Sequence, residues 1–414
     1  MSTLFKNISS LVTVNANGEL FKTGKDMQDI GEIKSGSIIF DEKILWIGTS
    51  EEISSELISL HKVDKEIDCS DKTVLPGFVD SHTHIVFAGN RSGEFARRLR
   101  GVTYQQIASE GGGILTTVNA TRNAGIEELA DRGRDLARSL MKHGTTAVEI
   151  KSGYGLSFDA EMNQLKAIKQ LQEELPLHIS STFLGAHDFP PEYKNDRQGY
   201  IDLIKNEMLP YVKEHNLAEY CDAFIDEGYY TLDEGRQVLE AGLEHGLKLK
   251  VHCDELASFG ATELAASLGA RSADHLLFIS DEGIEAAKEA GTCCTMLPGT
   301  AYFIRMPYAP ARKIIDSGAI AALSTDCNPG SSFTENMQTI LSLSVINMGM
   351  TAEEAIAAAT LNGAYAIDQS DKMGSLEIGK DANLIVCSID SYTDLFYHFG
   401  VNHVESTWIQ GKEI

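Results

Sequence analysis

The chain has 414 residues, of which 43% are hydrophobic and 23% charged, and its formal net charge is -25 at pH 7. This composition is typical of a globular protein with a large core and argues against an intrinsically disordered chain. The negative charge disfavours nucleic acid and anionic membranes as partners, because both are polyanions. No apolar run approaches the roughly 18 residues of a membrane span, and the first residues lack the pattern of a signal peptide. We therefore expect a cytoplasmic protein.

The seven cysteines also indicate a reducing compartment. Their number is odd, and most of them lie in apolar, strand-like runs. This distribution favours reduced thiols in the core over a framework of disulfides.

The chain begins and ends with short alternating segments that predict a small β unit. Residues 36–48 have the pattern of a β-hairpin, and residues 374–386 and 405–412 resume that pattern near the other end. We therefore predict a β-sandwich-like domain that is built from residues 1–72 and 374–414.

Between these flanks, short apolar runs alternate with amphipathic helical segments. Eight such runs cover residues 74–80, 145–150, 179–185, 220–225, 247–252, 272–275, 292–297 and 320–325. Strands that alternate with helices indicate a parallel sheet, and eight strand-helix units predict a (β/α)8 TIM-like barrel over residues 73–373.

The first predicted barrel strand ends with two histidines, His82 and His84, at positions i and i+2. Alternate residues of a strand share a face, so both imidazoles can reach one metal ion. With 12 histidines in the chain, a His-x-His pair alone is a weak signal. Its position strengthens it, because barrel enzymes keep their catalytic groups at the C-terminal ends of the strands.

Three later strands end with further residues that bind metals. His252 ends the fifth strand and Glu255 follows three residues later, His275 ends the sixth strand, and Asp326 ends the eighth. The C-terminal ends of all eight strands meet at one mouth of a barrel. The sequence therefore predicts a hydrolytic metal site at that mouth.

This arrangement resembles the amidohydrolase superfamily, with His-x-His after strand one, histidines after strands five and six, and aspartate after strand eight. The resemblance covers essentially the whole chain. Within the superfamily, residues 80–91, 149–156, 183–193 and 324–331 resemble the branch that acts in histidine degradation. The carboxylated lysine of binuclear members has no counterpart, because the fourth strand is followed by Asp226 and Glu227.

The resemblance implies a set of site residues. It implies one Zn2+ or Fe3+ per chain, a homodimer, and metal ligation by His82, His84, His252 and Asp326. It also implies that the substrate is contacted by Arg91, Tyr154, His187, Glu255, Asn328, Gly330 and Ser331.

The implied reaction is hydrolysis of the ring amide of 4-imidazolone-5-propanoate to N-formimidoyl-L-glutamate. A catalytic metal lowers the pKa of a bound water from about 15.7 to about 7. Glu255, His275 and Asp326 are the candidate catalytic proton carriers, and the sequence leaves open which one is the general base. Arg91 is the predicted partner of the substrate carboxylate, because an acidic protein needs a local cation to bind an anion. Lys151 is a further candidate at the mouth, with no assigned role.

Two other functions fit parts of the same pattern. A deaminase of a cyclic amidine or nucleobase would use the same ligands and the His252-x-x-Glu255 spacing. A neutral base, however, gives no reason for Arg91 and the turn at 328–331. A non-catalytic scaffold with this fold would be expected to have lost ligands, and none is missing.

Overall fold

The computed structural model describes residues 2–102, 106–107 and 110–414. Its strands are β1 (Ser2–Val12), β2 (Glu32–Phe40), β3 (Ile44–Thr49), β4 (Val63–Asp68), β5 (Thr73–Pro76), β6 (Phe78–Thr83), β7 (Thr145–Lys151), β8 (His178–Ala186), β9 (Tyr220–Ile225), β10 (Lys248–Cys253), β11 (Ser272–His275), β12 (Cys293–Met296), β13 (Ala321–Leu323), β14 (Leu384–Cys387), β15 (Val404–Ile409) and β16 (Lys412–Glu413). They form two separate sheets.

The first sheet is a parallel barrel in which β6 to β13 follow one another in chain order. Its two edge strands meet where Thr83 pairs with Cys327 and where the Asp326 amide donates to the His82 carbonyl oxygen at 3.1 Å. The strands are buried along almost their whole length, as expected when helices cover the outside and side chains fill the inside. The predicted (β/α)8 barrel is confirmed.

The strand predicted over residues 74–80 is wrong, because two strands lie there instead of one. β5 pairs with β1 and β14 in the second sheet, and only β6 belongs to the barrel. Gly77 separates them, and a Cβ at this position would overlap the side chain of Thr146. The second sheet therefore includes Thr73–Pro76, which the predicted boundary after residue 72 would leave in the barrel.

The second sheet is mixed and is built from both ends of the chain. Its order is β16-β15-β14-β5-β1-β2-β3, with β4 also beside β1. The ring of Phe5 lies edge-on to those of Phe40 and Trp408, with centroids 4.9 and 5.2 Å apart. Because β15 is three strands away from β1 in this order, the sheet must bend over itself to bring these rings together. The bend encloses a separate apolar core, which gives the unit its sandwich-like character.

Most α-helices lie between the barrel strands, whereas Ser55–Leu60 connects β3 and β4 of the second sheet. Those of the described residues are Ser55–Leu60, Ser92–Leu99, Ile114–Asn123, Ile126–Lys142, Phe158–Glu174, Arg197–Leu203, Leu209–Glu214, Leu232–Glu244, Ala261–Ser267, Asp281–Ala290, Pro298–Ile304, Ala311–Ser317, Met337–Met348, Ala352–Ala359, Leu361–Ala366 and Asp394–Tyr397, with a π-helical segment at Ile204–Met208. Local sequence sets several boundaries. Thr231 and Glu234 form a capping box that starts Leu232–Glu244, and Gly291, at a φ of +70°, ends Asp281–Ala290.

All seven cysteines are buried, and none forms a disulfide. Across residues 2–102, 106–107 and 110–414, no helix has the length and apolar character that a membrane span requires.

Candidate metal centre and substrate cavity

A cavity of about 580 Å³ opens at the C-terminal mouth of the barrel. Eleven of the twelve predicted site residues line it: His84, Arg91, Tyr154, His187, His252, Glu255, His275, Asp326, Asn328, Gly330 and Ser331. The twelfth, His82, lies just beneath the floor and is fully buried. The fold therefore brings residues from six of the predicted strand ends into one site.

The four predicted metal ligands surround a single point on this floor. The ligand nitrogens of His82, His84 and His252 lie within 4.8 Å of one another. Asp326 Oδ1 is 3.6 Å from Nε2 of both His82 and His84. Among the residues that the structure describes, the buried Nε2 atoms of His82 and His252 have no hydrogen-bond partner. Buried polar atoms are normally satisfied, so this cluster fits a metal ion, and both zinc and iron accept three imidazoles and a carboxylate.

The imidazoles of His82 and His84 are held in the neutral form that a metal requires. Burial, reinforced by the cation of Lys151, lowers the pKa of His82 well below its usual range. Burial also lowers the pKa of His84. Burial raises the pKa of Asp326 to about 6, so this group is still mainly a carboxylate at pH 7. Neutral imidazoles and a carboxylate are the protonation states that bind metals.

Two buried carboxylates lie behind the histidines. Asp274 Oδ2 is 2.7 Å from His82 Nδ1, and Asp222 Oδ2 is 3.0 Å from His252 Nδ1. The first contact is a hydrogen bond that orients the His82 imidazole and places its proton on Nδ1, whereas His252 Nδ1 forms no hydrogen bond with the described residues. Lys151 is not at the mouth, as its place in the sequence suggested. It is fully buried below the histidines, with Nζ 2.8 Å from Asp222 Oδ2.

Glu255 and His275 form the polar wall beside the cluster. His275 Nδ1 lies 3.7 Å from Glu255 Oε2. The backbone of His275 has a φ of +82°, a strained conformation that proteins concentrate at functional sites. Burial, followed by the charges of Asp326 and Asp226, raises the pKa of Glu255 to about 8. The Glu255 carboxyl is therefore mainly protonated at pH 7 and can donate a proton.

Arg91 lines the same cavity and lies beside the 328–331 turn. Its Nε donates to Glu94 Oε2 at 3.0 Å, and its side chain is 9% exposed. In the turn, Asn328 Oδ1 accepts from the amides of Gly330 and Ser331, both at 2.8 Å. A Cβ at Gly330 would overlap Arg91 Nη1, so the glycine allows the guanidinium to pack directly against the turn.

Tyr154 and His187 complete the wall next to His84. The His187 and His84 rings stack with centroids 5.3 Å apart, and the Tyr154 ring lies 5.4 Å from that of His187. His187 Nδ1 is 2.9 Å from the Gly153 carbonyl oxygen, so it carries the proton, and Nε2 is the acceptor. Burial lowers the pKa of His187 to about 3, and the ring is therefore neutral.

Several residues of the site were not predicted. Phe95, Arg98 and Phe303 line the rim, where the two phenyl rings stack with centroids 4.8 Å apart. No feature of the sequence indicates which loops fold over the mouth. Asp222 had a detectable signal, because it is a carboxylate inside an otherwise apolar strand, whereas Asp274 lies in the mainly polar strand Ser272–His275.

A parallel (β/α)8 barrel with buried histidines and an aspartate converging at its C-terminal mouth defines the class of metal-dependent barrel hydrolases. The sequence profile of the amidohydrolase family matches residues 73–414. The chain belongs to this family.

Two curated relatives and one solved structure are similar to nearly the whole chain. The chain is 45% identical over 410 residues to the imidazolonepropionase of Geobacillus sp. (strain WCH70), covering 99% of this chain and 97% of that protein. It is also 45% identical over 408 residues to the imidazolonepropionase of Shouchella clausii (strain KSM-K16), covering 98% of this chain and 91% of that protein. The crystal structure of an adenosine deaminase from Xanthomonas campestris with bound zinc has a TM-score of 0.69 and 18% identity, covering 99% of this chain and 92% of that one. At that identity the similarity shows the fold alone.

Proposed function

We propose that this protein hydrolyses the ring amide of 4-imidazolone-5-propanoate to N-formimidoyl-L-glutamate, a step of histidine degradation. One observation carries the proposal. A single cavity combines a metal-type cluster on its floor with an arginine on its wall whose side chain is only 9% exposed. This combination suits a substrate that has both a hydrolysable ring amide and a carboxylate. Relatives that align over nearly the full length are named imidazolonepropionase, which supports the same reaction.

We propose one metal per chain, Zn2+ or Fe3+, held by His82, His84, His252 and Asp326. When bound, it supplies Lewis acidity and makes hydroxide available at neutral pH. A single ion is supported by the surroundings of the cluster. Lys151 has carboxylate partners 2.8 Å away and does not line the cavity.

Hydrolysis adds the oxygen of water to the ring carbonyl carbon, breaks the C–N bond and delivers a proton to the departing nitrogen. Glu255 is suited to that delivery, because its raised pKa keeps a proton on the carboxyl at neutral pH. His275 is neutral and buried at the cavity wall, where it can bond the developing oxyanion. The base that accepts the proton of water is either His275 or Asp326, which is a carboxylate at neutral pH.

Arg91 and the 328–331 turn are proposed to bind the propanoate group. Glu94 fixes the guanidinium through Nε, which leaves the Nη edge directed toward the turn. Asn328, Gly330 and Ser331 form a compact turn at that edge, whereas Tyr154 and His187 line the part of the cavity next to His84. A planar guanidinium recognises a carboxylate with two parallel hydrogen bonds.

The test is an assay of metal-reconstituted protein with imidazolonepropanoate. The proposed reaction opens the ring and forms a second carboxylate without releasing ammonia. A deaminase would release ammonia from an amidine or nucleobase, and a scaffold would bind metal without turnover. The proposal is refuted if the metal-replete protein leaves imidazolonepropanoate intact. The homodimer and the cytoplasmic location stay predictions, to be checked by light scattering and by cell fractionation.

A further inference from the structure

Lys151 is a candidate site residue in the sequence, but the proposed reaction assigns it no role. Its side chain is fully buried, and Nζ lies 2.8 Å from both Glu149 Oε1 and Asp222 Oδ2. A third carboxylate oxygen, Asp274 Oδ2, is 3.7 Å away. The lysine therefore sits among three buried carboxylates in the layer directly beneath the histidine cluster.

Two of these carboxylates contact the histidines through the same oxygens that face the lysine. Asp222 Oδ2 lies 3.0 Å from His252 Nδ1, and Asp274 Oδ2 lies 2.7 Å from His82 Nδ1. The Asp274 contact is a hydrogen bond, and because an ionised carboxylate can only accept, His82 carries its proton on Nδ1. Asp222 lies beside His252 Nδ1 without forming a hydrogen bond, and its negative charge favours a proton on that nitrogen. The lone pair is then on Nε2, the atom that points to the metal position.

We propose that Lys151 is a positioning residue for the metal centre, which holds Asp222 and Asp274 so that His82 and His252 present Nε2 lone pairs to the ion. This inference rests on the metal site of the proposed function, but not on its substrate. The lysine bridges the supports of two ligands that come from different strands, β6 and β10. One cation thereby sets the orientation and the tautomer of both imidazoles.

The chain contains a matched control for this role. Lys250 is also fully buried in the barrel, but its Nζ donates to the carbonyl oxygens of Ser81 and Ala366 at 2.9 and 3.2 Å. Lys250 is therefore as deeply buried as Lys151, but it does not contact the carboxylates that face the histidines. Lys250→Met removes a buried ammonium, as Lys151→Met does, but leaves the contacts of Asp222 and Asp274 in place.

The sign of the effect on metal affinity separates positioning from simple electrostatics. Removing a cation beneath a metal site would by charge alone tighten the binding of Zn2+. Positioning predicts weaker binding, because loss of the groups that orient a ligand typically lowers metal affinity about 10- to 100-fold. The double variant Lys151→Met/Glu149→Gln keeps the net charge of the cluster unchanged. It also leaves Asp222 and Asp274 intact, so it isolates the geometric effect.

The experiment measures Zn2+ affinity by chelator competition and the tautomers of histidine by ¹⁵N NMR of the metal-free protein. We expect Lys151→Met and the double variant to bind Zn2+ about 10- to 100-fold more weakly and to show altered ¹⁵N shifts for two histidines. Lys250→Met and Glu149→Gln should resemble wild type in both measurements. If Lys151→Met fails to fold, the charge-balanced double variant decides.

The inference is overturned if the decisive variant binds Zn2+ as tightly as wild type or more tightly, or if its histidine ¹⁵N spectrum is unchanged. It is also overturned if neither variant folds, because a positioning role predicts a folded metal-free protein. Neither measurement involves the substrate. A wild-type protein that shows these metal effects but does not hydrolyse imidazolonepropanoate would refute the proposed function and leave the role of Lys151 standing.

Discussion

Replacing Arg91 with methionine tests the proposed substrate most directly. Methionine preserves much of the length and the apolar stem of the side chain but removes the charge and all of its donors. Arg91 is mainly buried, and Glu94 already holds its Nε atom. The Nη edge is therefore the part of the guanidinium that remains to bind a carboxylate beside Gly330.

The size of the effect follows from this geometry. A hydrogen bond to a charged group contributes about 1.5–3 kcal/mol, and truncating one partner of a buried charge pair costs about 2–5 kcal/mol. Glu94 already neutralises part of the Arg91 charge, so the substrate carboxylate gains less from it. We therefore take the lower part of this range, about 2–4 kcal/mol. Since about 1.36 kcal/mol corresponds to a factor of ten, kcat/KM should fall about 30- to 1000-fold.

The assay compares imidazolonepropanoate with the uncharged amide of its side chain. In Arg91→Met, kcat/KM should fall about 30- to 1000-fold for the acid and much less for the amide. Arg91→Lys should also be impaired, because an ammonium lacks the planar fork. Gly330→Ala should lower kcat/KM selectively for the acid. The new methyl group would displace Arg91 Nη1 without removing the charge of the guanidinium.

Arg97→Met is the matched control, because Arg97 lies in the helix Ser92–Leu99, which Arg91 immediately precedes, but pairs with Glu110 and is 39% exposed. It should behave as wild type on both compounds. Equal losses by Arg91→Met on the acid and the amide would refute the assignment of Arg91 as the carboxylate partner.

Three further predictions concern the metal and the proton carriers. Asp326→Ala or His252→Ala should lose most of the bound metal by elemental analysis, and a variant that keeps a full equivalent would contradict the proposed ligand set. Glu255→Gln should keep its metal while kcat falls about 10²- to 10⁴-fold, because an amide cannot transfer the proton; unchanged turnover would assign that transfer to His275 or Asp326. The pKa of Glu255 is raised from 4.5 to about 8, so its stabilising contribution is complete below pH 4.5 and is lost as pH rises through about 8. Denaturant unfolding of the metal-free protein should show this loss over that pH interval, and Glu255→Gln should remove it; identical pH slopes in both proteins would argue against the raised pKa.

The sequence was sufficient to predict the barrel and the residues that meet at its mouth. Strands buried on both faces leave near-continuous apolar runs, and the end of each run marks the point where a side chain reaches the cavity. For this reason His82, His252 and Asp326 could be assigned to one site although they are far apart in the chain. The family resemblance added Arg91 and the 328–331 turn, which apolar periodicity alone would not have distinguished from ordinary surface residues.

Other features depended on contacts that no local pattern encodes. Residues 74–80 form one apolar run, yet pairing with β14, some 300 residues later in the chain, assigns Thr73–Pro76 to the terminal sheet. Lys151 follows its strand as a mouth residue would, but Asp222 and Asp274 hold it below the histidines. The rim formed by Phe95 and Phe303 likewise exists only because two distant segments meet. Periodicity determines the face on which a side chain lies, whereas its partner across the barrel is determined only when the strands close around it.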